Sequence, residues 1–136
     1  MARILVIEDN EVNLRLASII LTSVGHEVLS ACDATSGLEA ARTGSPEVIL
    51  MDIQLPEVDG LAVTRELKAD PATAAIPVVA VTAFAMMGDK ERFLAAGFDG
   101  YLAKPYRTGD LLIAIEQALA HAGVRATDVR LGVEPS

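Results

Sequence analysis

The chain has no tryptophan, a single cysteine and few aromatic residues of any kind, 4% in all. With Cys32 alone, no disulfide framework can form within the chain, so a reducing, cytoplasmic setting is expected. Cys32 follows Val28-Leu29-Ser30-Ala31, which reads as a strand, and it is therefore expected to be buried and inert. Scarce aromatics require an aliphatic core. Basic residues are also a minority, 11 Lys and Arg against 19 Asp and Glu, for a net charge of −8. That balance argues against direct binding to nucleic acid or to an anionic membrane, both of which favour a basic face. No apolar run approaches the roughly 20 residues that a membrane span needs. No signal peptide is visible either, because Arg3 is followed by only four apolar residues before Glu8-Asp9.

What the chain does contain is a repeated alternation of short apolar runs with helical segments. At 136 residues, 51% hydrophobic and 22% charged, it fits one domain. A domain of that size buries roughly two-thirds of its unfolded surface and needs no disulfide or structural metal to fold. Arg3-Ile4-Leu5-Val6-Ile7 is a β-prone run that stops at acids. Glu11 to Val24 gives a largely apolar helix, started by Asn10 and stopped at Gly25. Glu27 to Ala31 is a second strand, and Asp33 caps a short helix through Arg42 that Gly44-Ser45-Pro46 breaks. Val48 to Asp52 is a third strand, and Asp59 caps a helix from Gly60 to Ala69. Pro77 to Thr82 is a fourth strand, followed by a helix around Asp89 to Ala96. Asp99 to Ala103 is a weaker fifth strand, and Thr108 caps a last helix to about Ala120.

Strands one, three and four are unbroken apolar runs, as in a parallel sheet covered on both faces by helices. Five β-α units in succession predict a single doubly wound α/β domain over 1–121. The right-handed crossover rule leaves few topologies, the flavodoxin-like strand order among them. Residues 122–136 show no period and read as a loose tail.

In open α/β sheets the ligand site lies beyond the carboxyl ends of the strands. Strand one ends in Glu8-Asp9, strand three in Asp52, strand four in Thr82, and strand five is followed by Lys104-Pro105. Each residue alone has an ordinary explanation: an acid after a strand caps a helix, a lysine is solvated, a threonine ends a strand. Together they supply one chemistry. Packed carboxylates repel unless a cation joins them, and an all-oxygen donor set without cysteine or histidine suits a hard ion such as Mg²⁺. Lys104, on the other side of Asp52, adds a second positive charge, and Thr82 adds a donor. An oxygen nucleophile, a metal and a cation to hold developing charge are the parts that phosphoryl transfer requires.

These motifs carry a resemblance. Ile4-Leu5-Val6-Ile7-Glu8-Asp9-Asn10, Leu50-Met51-Asp52-Ile53-Gln54-Leu55-Pro56, Asp59-Gly60, Val81-Thr82-Ala83 and Lys104-Pro105 together resemble the response-regulator receiver domain, the CheY-like family, over about residues 2–121. Met51 to Pro56 and Val81-Thr82-Ala83-Phe84-Ala85-Met86 are most similar to stand-alone regulators of the DivK-like type. The resemblance implies that Asp52 is the phosphoacceptor. It implies that Asp9 binds Mg²⁺ directly, Glu8 mostly through water, and the Gln54 backbone carbonyl as a further ligand. Thr82 and Lys104 would hold the phosphoryl oxygens, Ala83 would leave room over the acyl phosphate, and the Lys104–Pro105 bond would be cis. Gln54 and Phe84 would tune the lifetime of the phosphoryl group.

By the same resemblance Tyr101 sits at the aromatic switch position, turning inward when Thr82 moves toward the phosphoryl group. Output would then pass through the face from Asp89 to Ala120 to a downstream protein target, with a phosphorylation-dependent dimer left open. The phosphoryl donor would be a sensor histidine kinase or a histidine phosphotransferase. The chain would be a signalling phosphoacceptor that assists its own phosphorylation and dephosphorylation, not a turnover enzyme. Met1 directly before the first strand, and the lack of an output module after the last helix, favour a stand-alone regulator. An unphosphorylated docking scaffold and a receiver excised from a hybrid histidine kinase are the nearer alternatives. A haloacid-dehalogenase-type hydrolase would need an acid where Gln54 stands, and an FMN binder would need a phosphate-cradling loop in place of Glu8-Asp9-Asn10. His26 and His121 lack partners that would mark them as ligands, and Met86-Met87 reads equally as partner contact or loop packing.

Overall fold

The apolar runs become strands of one parallel sheet. In chain order the elements are β1 (Arg3–Ile7), α1 (Glu11–Ser23), β2 (Glu27–Ala31), α2 (Ala34–Gly44), β3 (Val48–Asp52), β4 (Gln54–Leu55), β5 (Val58–Asp59), α3 (Gly60–Ala69), β6 (Val78–Thr82), α4 (Asp89–Ala95), β7 (Gly100–Ala103) and α5 (Thr108–Leu131). The computed structural model describes residues 2–55, 58–83 and 89–131, with backbone alone at 58, 89, 90 and 121–131. The five long strands lie in the order β2-β1-β3-β6-β7, every neighbouring pair parallel. This is the expected flavodoxin-like winding, with the switch point between β1 and β3.

Burial explains why the strands differ in composition. β3 and β6 are buried at every position, and β1 at all but its first residue. α1 and α5 cover one face, where Ala17, Leu21, Leu111 and Ile115 pack on Ile4, Val6, Leu50, Val79 and Val81. α2, α3 and α4 cover the other, where Val63, Leu67 and Phe93 pack on Leu5, Ile7, Ile49, Met51 and Ala80. Alternate residues of each central strand therefore serve opposite layers, and no polar position is left inside the runs. β2 and β7 lie at the edges and tolerate polar residues.

The helix starts follow their caps. Asn10 Oδ1 accepts from the Asn13 N–H at 3.0 Å, Asp33 Oδ1 from the Ser36 N–H at 2.8 Å, and Asp59 Oδ1 from the Leu61 N–H at 2.9 Å. Gly25, at φ 95°, ends α1 in the left-handed region that glycine enters without strain. Gly60 is required by proximity: a Cβ there would lie 2.8 Å from Ile53 Cα and 3.0 Å from the Asp52 carbonyl oxygen. The start of α3 is thereby pressed against the end of β3.

Three expectations are corrected, and one feature is added. Cys32 is exposed, because β2 ends at Ala31 and the cysteine falls in the turn before α2. Thr108 is the first residue of α5, and Asp110 Oδ2 instead accepts from the Arg107 N–H at 3.1 Å, as a third-position acid does in a capping box. The α5 backbone continues to Leu131, through part of the segment read as a loose tail. A lone Gly123 weakens a helix by only about 1 kcal/mol, and the strong breaker, Pro135, comes later. Finally, β4 and β5 form a two-stranded antiparallel ladder after Asp52 that carries no periodic signal.

Candidate active site

Strand register sets the site. Ile7 pairs with Met51, Asp52 with Val81, and Thr82 with Ala103, so β1, β3, β6 and β7 end nearly level. The ladder continues one residue beyond the strands: the Glu8 N–H donates to Ala31 O at 3.0 Å, Ile53 to Val81 O at 2.9 Å, and Lys104 to Thr82 O at 2.8 Å. The sheet thus fixes the backbones of Glu8, Asp52, Thr82 and Lys104 in one row. The side chains of Glu8, Asp52 and Lys104 meet at the rim.

Carboxylate oxygens of Glu8, Asp9 and Asp52 lie within 4.8 Å of one another. Glu8 and Asp52 are buried, at 6% and 4% exposure, while Asp9 is exposed. Lys104 Nζ is 3.0 Å from Glu8 Oε1 and 3.6 Å from Asp52 Oδ2. The lysine therefore stands between two acids and lies nearer Glu8, a pairing that strand ends alone do not specify. The other oxygen of Glu8 accepts from the Asn10 N–H at 3.2 Å, and Asp52 Oδ1 accepts from the Gln54 N–H at 3.0 Å. That last bond folds the backbone of residue 54 over the Asp52 carboxylate. Thr82 is buried at the end of β6, and Ala83, next along, is exposed.

The electrostatics are unbalanced. Burial, and then the neighbouring Asp52 carboxyl, push the Glu8 pKa up to about 7, and the bonds from Lys104 and Asn10 only partly oppose this. Burial acts to lower Lys104, but its bond to Glu8 and the charges of Asp52 and Glu8 outweigh that and raise it. One ammonium shared by Glu8 and Asp52, with the Asp9 carboxylate beside them, leaves negative charge in excess. A proton on Glu8 or a second cation relieves it, and an all-oxygen donor set fits a hard divalent cation.

The sequence and the fold agree with known proteins. The family model of the response regulator receiver domain matches residues 4–116. This chain belongs to the response-regulator receiver family. The polar-differentiation response regulator DivK of Brucella anthropi is 42% identical over 119 residues, covering 88% of this chain and 97% of that protein. A CheY-like receiver domain protein from Methanospirillum hungatei superimposes with a TM-score of 0.83 at 28% identity, covering 92% of this chain and 98% of the other. The receiver domain of a sensor histidine kinase from Pseudomonas aeruginosa, whose structure has magnesium coordinated in the active-site cleft, gives a TM-score of 0.80 at 35% identity, covering 88% and 98%. The chain is thus the receiver domain of a two-component response regulator, a module whose standard role is phosphorylation by a kinase.

The receiver site extends beyond the residues that the strand ends announce. The Lys104–Pro105 bond is cis. Tyr106, directly after it, borders both the small cavity at Glu8 and Asp52 and a larger cleft of about 550 Å³ lined by Leu16, Ile20, Ala83, Lys104 and Pro105. Burial, and then the negative charge of Glu8, raise the Tyr106 phenol above its usual range. Its place after Lys104-Pro105 was the available signal. Beside this cleft α1 exposes Val12, Leu16 and Ile19 at 66%, 53% and 57%, one helical stripe facing solvent. Tyr101 is half-buried on β7, two pairs before the Thr82–Ala103 pair, and stacks on Phe93. Gln54 is exposed above Asp52. His26 has a structural role, its Nδ1 accepting from the Ala2 N–H at 3.1 Å. Phe84, Met86-Met87 and the His121 side chain lie outside the described residues.

Proposed function

We propose that Asp52 is the phosphoacceptor, receiving a phosphoryl group from a phosphohistidine of a sensor kinase or a histidine phosphotransferase in a Mg²⁺-dependent step. An Asp52 carboxylate oxygen attacks phosphorus, the O–P bond of an acyl phosphate forms, and the N–P bond to the donor imidazole breaks. The released imidazole nitrogen keeps the electron pair. The Gln54 N–H holds the attacking carboxylate in orientation, and Lys104 meets the charge on the transferring oxygens once they arrive. Thr82, at the rim of β6, takes another phosphoryl oxygen as a donor, and the small Ala83 keeps the approach open.

Asp9, Asp52 and the Gln54 carbonyl would hold Mg²⁺, which supplies a second positive charge at the phosphoryl group. Glu8 would act mostly through water, a reading supported by its two oxygens already engaged by Lys104 and Asn10. Tyr101 serves as the switch that reports occupancy of the pocket, and the face from Asp89 to Ala120 carries output to a protein target. The apolar row on α1 beside the cleft supports docking of the phosphohistidine-bearing partner there. No helix of the described residues is long and apolar enough to cross a membrane, and the protein acts in the cytoplasm as a signalling phosphoacceptor rather than a turnover enzyme. The receiver unit is taken as 1–121. A receiver from a hybrid kinase is the second reading, favoured by the likeness to the Pseudomonas kinase receiver.

The single observation that carries the proposal is the convergence of three carboxylates within 4.8 Å, with Lys104 at 3.6 Å from Asp52. Incubation with acetyl phosphate and Mg²⁺ should add one phosphoryl group, detected by intact mass. Turnover of small phosphate esters without a stable adduct would instead point to a hydrolase.

A further inference from the structure

The chain holds five Phe and Tyr residues, 3 and 2, and three of them, Phe93, Phe98 and Tyr101, form one ring cluster. Tyr101 stacks on Phe93 with ring centroids 5.4 Å apart and planes at 28°. Phe98 meets Phe93 edge-on at 5.8 Å, and the Arg92 guanidinium lies 5.2 Å from the Phe93 ring centre. α4 has seven residues, too few to be stable without tertiary packing. Among its described side chains Phe93 alone is buried, while Glu91, Arg92, Leu94 and Ala95 are exposed. Among the described side chains of α4, the Phe93 ring is the one that pins the helix to the sheet, and that ring rests on Tyr101.

We propose that Phe93 is the positioning residue through which the Tyr101 ring sets the placement of α4. The proposal rests on the reading of Tyr101 as the switch. Tyr101 pairs with Ala80, two residues before Thr82 and on the same face of β6, so a shift at Thr82 reaches the stacked ring along a diagonal of the β6–β7 ladder. Loss of a stacked aromatic contact alters a local equilibrium by roughly two- to tenfold. For a helix with one buried anchor among its described side chains, that is enough to redistribute its positions. Phe98 and Arg92 hold Phe93 from other sides and make it a defined seat instead of a loose apolar contact.

The test is amide and ring NMR on the full chain with Mg²⁺, with and without beryllofluoride, in the wild type and in Phe93→Leu. In the wild type, activation should move the amides of Thr82 and Ala83, the ring resonances of Tyr101, and the amides from Glu91 to Phe98. In Phe93→Leu the Thr82, Ala83 and Tyr101 shifts should persist while those from Glu91 to Phe98 fall at least twofold. Helix shifts as large as in the wild type would overturn the proposal and leave the Tyr101 switch standing. A wild-type Tyr101 ring that does not respond while the pocket does would sink the switch reading and the proposal with it. Should the leucine variant fail to fold, the wild type decides alone: Tyr101–Phe93 ring cross-peaks should change at least twofold on activation, and unchanged cross-peaks refute the coupling.

Discussion

The two ends of the sheet use charge in opposite ways. At the amino end, ions are matched: Lys68 Nζ lies 3.0 Å from Asp99 Oδ2 and donates to the carbonyls of Ala74 and Ile76, while the same carboxylate oxygen accepts from the Val78 N–H. Arg3 likewise pairs with Glu27 and donates to Gly44 O at 2.7 Å. At the carboxyl end, among the described residues, Lys104 is shared by two buried carboxylates, Glu8 and Asp52, with Asp9 gathered beside them. Matched charges hold the strand starts and loops in place. Two buried carboxylates sharing one ammonium destabilise the apo protein and create a demand for a cation. Substitutions at the two ends should therefore separate stability from activity.

The largest effect is expected from Asp52→Asn. It should abolish adduct formation with acetyl phosphate, as read by intact mass, while urea denaturation of the metal-free variant shows stability equal to the wild type or higher, because a buried like-charge neighbour of Glu8 is gone. Next comes Lys104→Met. The rate of phosphorylation should fall by about 100-fold, the scale of losing one donor aimed at developing charge, with the adduct still mapping to the same residue. Asp99→Ala should do the converse. It leaves Lys68 without its carboxylate and the Val78 N–H without its acceptor, for a loss of about 2 kcal/mol in urea unfolding after allowance for partial exposure, and phosphorylation should be unchanged. A reversal of either pattern would break the contrast between the ends.

The smallest effect is a pH dependence, and it sharpens the contrast. Glu8 has a folded pKa of about 7 against 4.5 for an unperturbed group. The folded state thus binds the proton more tightly, so this group's contribution to metal-free stability is full below about pH 4.5 and is lost as pH rises through about 7. The metal-free melting temperature should fall by a few degrees across that window, relative to Glu8→Gln. Mg²⁺ should recover more of it at pH 8 than at pH 6, since protons compete for the same oxygens, and chelation should remove the difference.

Much of this was legible in the sequence, because the central strands are buried on both faces and so appear as continuous apolar runs ending in the residues of interest. Glu8, Asp9, Asp52, Thr82 and Lys104 could be named from strand ends, and Asn10, Asp33 and Asp59 from their side-chain chemistry. What could not be read depends on three-dimensional neighbours. The apolar character of α1 does not say which residues face the core: Ala17 and Leu21 are buried while Val12, Leu16 and Ile19 face solvent. Whether Lys104 sits nearer Glu8 or Asp52 depends on rotamers, and Cys32 is exposed because it lies just past β2, in the turn before α2. The Phe93–Tyr101 stack joins a helix to a strand, so no local pattern encodes it.

The central claim is that a divalent ion held among these acids lets Asp52 become an acyl phosphate. After treatment with acetyl phosphate, borohydride reduction and peptide sequencing by mass spectrometry report which carboxylate was modified. The account predicts reduction at residue 52 alone, present with Mg²⁺ and absent with EDTA. Label at another acid, or equal label at Asp52 in EDTA, would contradict it.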